Sequence, residues 1–183
     1  YRAVTLYLLN NKINLNDLNL VQSLLDNLDL NLSYNDKRFI VALNDKDVTL
    51  SLRSQDINKN VSKVSKIASV RKKMVDIQRE FSNYKNIVVE GRDIGSHVFP
   101  EAKYKFFIEA DINVRAKRRF AEMSDKSVIT LSGLVEQMLN RDLLDSNREI
   151  SPLIKSKDAI VIDTTKLSIK EQVSKIYNII TNN

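Results

Sequence analysis

Three stretches of the chain carry residue types and spacings suited to handling an anion. Glu90-Gly91-Arg92-Asp93-Ile94-Gly95 follows Ile87-Val88-Val89, a β-branched run that reads as a buried strand. A strand ending in a glycine-flanked Arg-Asp pair delivers a cation and a carboxylate to the carboxyl edge of a sheet, where ligands bind in open α/β folds. The chain has 3 glycines, and the two in this stretch let the backbone turn sharply and approach a ligand closely. A β-turn with a surface ion pair fits the same residues. The second stretch holds Arg115, Lys117, Arg118 and Arg119, just after a predicted strand. A guanidinium stays charged and donates two parallel hydrogen bonds, which suits phosphoryl oxygens; a solvated basic face fits equally. In the third, Arg141, Asp145 and Arg148 are spaced to share one helical face, as an ordinary ion-pair ladder also would. Three Arg/Asp-bearing segments directed at one sheet edge exceed what a solvated surface needs. The chemistry they suit is the clamping of a phosphate-bearing anion.

The elements that must position these residues follow from apolar periodicity. Residues 2–10 read as a buried helix. Asn16 can cap a second helix from Asp17, with Leu18, Val21, Leu25 and Leu28 as its stripe. The pattern changes to period two at Leu30, Leu32 and Tyr34, with turns at Asn35-Asp36-Lys37 and Asn44-Asp45-Lys46 and strands over 39–43 and 48–50. The whole is a small antiparallel meander over roughly 29–51. Ser54 caps a helix carrying Ile57, Val61 and Val64, and another carries Val70, Met74, Ile77 and Phe81. Strands are predicted over 87–90, 105–109 and 159–162. Helices are predicted over 113–123, capped by Asp111, and over 132–148, with a loose polar segment at 124–130. Ser168 and Glu171 form a capping box for a last helix with Ile169, Val173, Ile176 and Ile180. Strands separated by helices after residue 85 imply βαβ units and a parallel sheet.

Composition narrows the partners. The net charge of +6 (29 Lys and Arg against 23 Asp and Glu) favours anionic ones without choosing among nucleotide, nucleic acid and acidic lipid. With no cysteine, disulfides and thiolate metal sites are excluded, and a single histidine, His97, argues against zinc. His97 reads as a turn or surface residue. No apolar run approaches the roughly 18 residues of a membrane span, and no signal peptide is visible. The chain opens at Tyr1 inside a helix and reads as a piece of something longer.

Taken together, the motifs resemble bacterial cytidylate (CMP) kinase, a P-loop nucleoside monophosphate kinase family. The matching pieces include Tyr1-Arg2-Ala3, Leu52-Arg53-Ser54-Gln55, Val70-Arg71, Glu90 to Gly95, and Val98-Phe99-Pro100-Glu101-Ala102. They continue with Arg115-Ala116-Lys117-Arg118-Arg119, Arg141-Asp142, Asp145-Ser146-Asn147-Arg148, Ser151-Pro152-Leu153 and Ile162-Asp163-Thr164, in family order along the whole chain. The resemblance implies one α/β kinase domain over 1–183 with a parallel-sheet core. Within it lie an inserted antiparallel monophosphate-binding subdomain over 29–70 and a short lid over 119–133. It implies transfer of the γ-phosphoryl of ATP, with Mg²⁺, to CMP or dCMP. By motif, Ser62, Arg71 and Asp93 correspond to the readers of cytosine. Arg2 and Arg92 correspond to clamps on the monophosphate, with Tyr1 beside them, and Arg141, Asp145 and Arg148 to ribose and phosphate contacts. Arg115, Arg118 and Arg119 correspond to the lid-side arginines that face ATP. Arg92, Arg115, Arg118, Arg119 and Arg148 are the expected catalytic set, and no residue is assigned to a metal. The implied enzyme is a cytoplasmic monomer that binds neither membrane nor nucleic acid.

One departure is large. P-loop kinases cradle phosphates with GxxxxGK[ST] after the first strand, and residues 1–183 contain no such stretch. The expectation is that the loop lies upstream of Tyr1 and that these residues alone are not a competent kinase. Two other readings stay open. One is a kinase for UMP or another monophosphate, against which the pattern of Ser62, Arg71 and Asp93 speaks. The other is a basic, non-catalytic nucleotide- or RNA-binding module, against which the 7% aromatic content speaks.

Overall fold

The computed structural model describes residues 1–35, 38–83, 86–123 and 126–182. The chain divides into two compact units, Tyr1–Val88 and Val89–Asn183.

The first unit is built on one apolar cluster. Helix α1 (Arg2–Asn10) contributes Ala3, Val4 and Leu8, and helix α2 (Leu18–Asp26) contributes Val21 and Leu25. The α2 cap is Asp17 rather than the expected Asn16: its Oδ1 accepts from the Leu20 amide at 3.0 Å. Asn16 instead donates its own amide to Asn14 Oδ1, forming a local turn before the helix. Strands β1 (Leu30–Asn35), β2 (Arg38–Leu43) and β3 (Lys46–Asp47) form an antiparallel meander in the order β1-β2-β3. Asp36 and Lys37, in the first expected turn, lie outside the described residues. At the second turn Asn44 and Asp45 both have positive φ (48° and 62°), and Leu43 pairs with Lys46. That is a two-residue type I′ hairpin.

The tight hairpin moves the third strand. The expectation of 48–50 is corrected to Lys46–Asp47, because pairing resumes at once after the turn. The chain then leaves the sheet for a 3₁₀ turn, Leu50–Arg53. Helix α3 (Gln55–Val64), capped by Ser54 as expected, and helix α4 (Ala68–Ser82) close the unit, with Val64, Val70 and Met74 joining the cluster.

An irregular stretch of chain spans residues 87–93, across the boundary at Val88. The run 87–90 is not a strand, contrary to expectation, and Val88 is fully exposed. β-branched composition supplies the propensity for a strand, but a strand also needs a hydrogen-bonding neighbour, and among the described residues none pairs with it. A single π-type turn, Ile94–Val98, follows, in which the Asp93 carbonyl accepts from the amides of His97 (2.9 Å) and Val98 (3.2 Å).

Strand β4 (Phe106–Glu109) pairs in parallel with β5 (Ile160–Asp163), Phe106 opposite Ile160 and Glu109 opposite Asp163. Between them run α5 (Ile112–Ala121), capped by Asp111, and α6 (Leu131–Ser146), capped by Thr130. The crossover expected from the helical segments between the strands is present. Ser124 and Asp125, at the start of the expected loose segment, lie outside the described residues. Helix α6 ends at Ser146, so Arg148, expected on the helix, lies just beyond it. Helix α7 (Ile169–Thr181) carries the expected capping box.

Candidate active site

In the second unit, helix α6 acts as a carboxylate rail. Asp142 and Asp145 stand one helical turn apart on it, and arginines from three segments converge on them. Arg92, from the turn after residue 90, donates from Nη1 to Asp142 Oδ1 at 2.6 Å, and its Nε lies 3.4 Å from Asp145 Oδ2. Arg115, from α5, donates from Nη1 to Asp142 Oδ2 at 2.7 Å. Arg148 Nη1 lies 3.5 Å from Asp145 Oδ1, and Arg141 Nε lies 3.9 Å from Asp145 Oδ2. Asp145 and Arg148 are almost fully buried, with side chains 7% and 8% exposed. Arg92 and Arg115 are about one third exposed, at 33% and 32%. The short hydrogen bonds are therefore those of the outer guanidiniums, which stay within reach of solvent, while the buried inner pair sits at the longer 3.5 Å.

Five of the sequence-predicted site residues, Arg92, Arg115, Arg141, Asp145 and Arg148, are thus gathered in one network. Asp93, the next residue in the chain, is buried at the head of the π-type turn. Arg119 is exposed on α5. Arg118 faces another way. It donates to the Thr164 carbonyl at 2.6 Å, to Thr164 Oγ1 at 3.2 Å and to the Leu167 carbonyl at 3.2 Å. Its guanidinium therefore ties α5 to the segment after β5.

The remaining predicted residues lie in the first unit. Arg71 on α4 is buried; it donates from Nη1 to the Ser65 carbonyl at 3.0 Å, and its guanidinium carbon sits 5.5 Å from the centre of the Tyr1 ring. Ser65 Oγ in turn donates to the Ser62 carbonyl at 3.0 Å, so Ser62, Ser65 and Arg71 meet at the α3–α4 junction. A desolvated guanidinium over a tyrosine face gains a cation–π attraction that offsets part of its burial cost. Arg2 donates from Nη1 to the Leu52 carbonyl at 2.9 Å and to Asn58 Oδ1 at 2.7 Å.

Sequence reasoning gave no role to Asp142, the residue that bridges Arg92 and Arg115. Its signal was present: it precedes Asp145 by one turn on the same face. Burial alone would raise its pKa. The hydrogen bonds from Arg115 and Arg92, with their charges, outweigh this and hold it below the ordinary 3.8. A carboxylate whose pKa is depressed by folding stabilises the fold above its unfolded pKa and loses that contribution as pH falls through the folded value. Wild type is therefore expected to exceed Asp142→Asn in stability at neutral pH, with the gap closing as pH falls below 3.8. Urea unfolding of both proteins across pH checks this; a gap that stays constant into acid contradicts it.

The cytidylate kinase family model matches residues 1–182. Cytidylate kinase of Fusobacterium nucleatum is 45% identical over 177 residues, covering 96% of this chain and 79% of that protein. Cytidylate kinase of Clostridium botulinum strain Langeland is 44% identical over 181 residues, covering 98% and 82%. That of Lactobacillus johnsonii is 41% identical over 181 residues, covering 98% and 79%. The chain belongs to the cytidylate kinase family. Membership makes it a nucleotide-binding transferase, and its mixed α/β elements, with a parallel pair and an antiparallel meander, accord with a P-loop kinase fold.

Proposed function

We propose that the complete protein transfers the γ-phosphoryl of ATP to CMP and dCMP, giving CDP and dCDP, and acts as a cytoplasmic monomer with no nucleic-acid or membrane partner. The observation that carries this reading is the family match together with the arginines gathered on Asp142 and Asp145. Phosphoryl transfer asks a protein mainly for positioning and positive charge, and that is what the cluster supplies.

In this reading Arg92, Arg115, Arg119 and Arg148 face phosphate groups, and Arg141 and Asp145 hold ribose and phosphate. Arg2 and Tyr1 serve the monophosphate, and Ser62, Arg71 and Asp93 read the base. Arg118, engaged with two carbonyls, contributes by fixing α5, which carries Arg115 and Arg119. Among the described residues no group of three or more His, Cys, Asp or Glu is placed to hold a metal ion. In this reading Mg²⁺ enters as part of the MgATP substrate, and no step is assigned to it. No described helix is long and apolar enough to cross a membrane. The subdomain over 29–70 and the lid over 119–133 are the parts proposed to carry the monophosphate site and the ATP-side arginines. Catalysis also requires a GxxxxGK[ST] loop, which residues 1–183 do not contain.

Base choice tests the reading. A carboxylate accepts from the N4 amino group of cytosine, whereas uracil presents a carbonyl there and would face Asp93 with no proton between them. An unpaired buried polar group costs about 1–3 kcal/mol, roughly 5–150-fold in kcat/KM. The kinase with its phosphate loop is expected to prefer CMP and dCMP over UMP by that factor. Asp93→Ala is expected to narrow the gap chiefly by hurting CMP. Measured kcat/KM values for the three nucleotides decide it. An equal loss on CMP and UMP would move base reading to Ser62 and Arg71 and leave Asp93 as a support for Arg92. No preference for CMP in the wild type would favour a broader monophosphate kinase.

A further inference from the structure

We infer that Asp142 is a positioning residue for phosphoryl transfer: its two carboxylate oxygens hold Arg92 and Arg115 as a registered pair. The inference rests on the proposed reading that these two arginines face phosphate. Arg92 comes from the turn after residue 90, and Arg115 from α5. Nothing in their local sequence sets the separation of their guanidiniums. Asp142 does so, with Oδ1 accepting from Arg92 Nη1 at 2.6 Å and Oδ2 from Arg115 Nη1 at 2.7 Å. The bonds have the short, charge-assisted lengths of strong pairs. Two guanidiniums this close to one carboxylate are also close to each other and repel. The carboxylate offsets that repulsion while no substrate is bound.

The arrangement also mimics the ligand. A carboxylate presents two oxygens in a plane to two guanidiniums, as a phosphoryl group presents its own. Asp142 thus keeps both arginines in the spacing an incoming phosphoryl group uses and prevents their drifting to other acceptors. Its side chain is 23% exposed, so a phosphoryl group can approach the same pair from the solvent side. Asp145 alone does not fix that spacing. It lies 3.4 Å from Arg92 and is also approached by Arg141 and Arg148, whereas Arg115 bonds to Asp142.

The test uses the active kinase and compares Asp142→Asn, Asp142→Glu, Arg115→Ala and the double variant Asp142→Asn/Arg115→Ala. Misplacing a group by about 1 Å can cost on the order of 100-fold in rate. Asp142→Asn is expected to lower kcat by roughly 10- to 100-fold, with a smaller change in KM for CMP. Asp142→Glu, which keeps the charge, should recover several-fold of the loss. The loss in the double variant should fall clearly short of the product of the two single losses, because the part of Asp142's effect that runs through Arg115 is already gone. In the unliganded protein, the arginine side-chain ¹⁵N signals of Arg92 and Arg115 should both lose their slow exchange in Asp142→Asn.

Wild-type kcat in Asp142→Asn, or losses that simply multiply in the double variant, would overturn the inference while leaving the phosphate reading intact. Wild-type kinetics in Arg92→Ala and Arg115→Ala would instead remove that reading, and this inference with it. Should Asp142→Asn melt below the assay temperature, the Asp142→Glu kinetics and the wild-type ¹⁵N exchange decide alone. Asp142→Glu no faster than Arg115→Ala, or fast exchange at Arg92 and Arg115 in the wild type, then counts against the inference.

Discussion

Arg92→Ala is expected to lower turnover of the active kinase by at least ~100-fold, a floor set below the cost of about 10³–10⁵ that losing a catalytic arginine can carry in phosphoryl transfer. Arg92 is held at two points, through Nη1 by Asp142 and near Nε by Asp145, and in the proposed reading its guanidinium also meets a phosphate. A guanidinium pinned in this way costs no reorganisation when charge develops on the transferring group. Arg92→Lys should rescue poorly. An ammonium is a point charge that cannot occupy both carboxylates and the phosphate in a planar fork. Turnover and KM for CMP and ATP, measured beside a thermal melt, check this. Near-wild-type kinetics in a normally melting Arg92→Ala protein would make the pair purely structural.

How much of this was legible in the sequence depended on whether a residue's neighbours were local. Arg141 and Asp145 were readable as neighbours because the helical repeat brings them together, whereas α6 stops at Ser146 and Arg148 reaches Asp145 from beyond its end. The capping box at Ser168 and Glu171 was readable for the same reason. Arg92 was singled out by its flanking glycines, but its partner Asp142 was not. Nothing in the intervening sequence announces that α6 faces the turn after residue 90.

Strand 87–90 failed for a related reason. Ile87, Val88 and Val89 state a propensity, whereas a strand is a relation between two segments. Helix α7 shows the same limit from the other side. Its apolar stripe correctly specified a helix, yet Ile169, Val173 and Ile180 remain exposed, because amphipathicity does not name what a face packs against. Arg118 and Arg119 are adjacent in one basic run and indistinguishable by type. Only the structure shows that the first is spent on the carbonyls of Thr164 and Leu167.

Residues 1–183 alone are expected to show no ATP-dependent phosphorylation of CMP. The polyphosphate of ATP needs several convergent backbone N–H groups and a lysine beneath them, the arrangement a GxxxxGK[ST] loop provides between a strand and a helix. The chain's glycines do not supply it. Gly91 and Gly95 flank the Arg92 turn, Gly133 lies inside α6, and none of the three has a positive φ. A Cβ at Gly91 would fall 2.7 Å from the Ile94 side chain, so that glycine is needed for close packing within its own turn. In the proposed reading the arginine network still orients phosphoryl oxygens, but without a cradle for the β- and γ-phosphates the donor is not held in line with the acceptor. Fusing a strand and GxxxxGK[ST] loop of the P-loop kinase type ahead of Tyr1 is expected to give turnover on the ordinary kinase scale, about 1–100 s⁻¹. A coupled ADP-release assay on the two proteins, each first shown to melt cooperatively, makes the comparison. Robust CMP-dependent turnover by the 183-residue chain would show that its own arginines and helix ends hold ATP well enough without the loop.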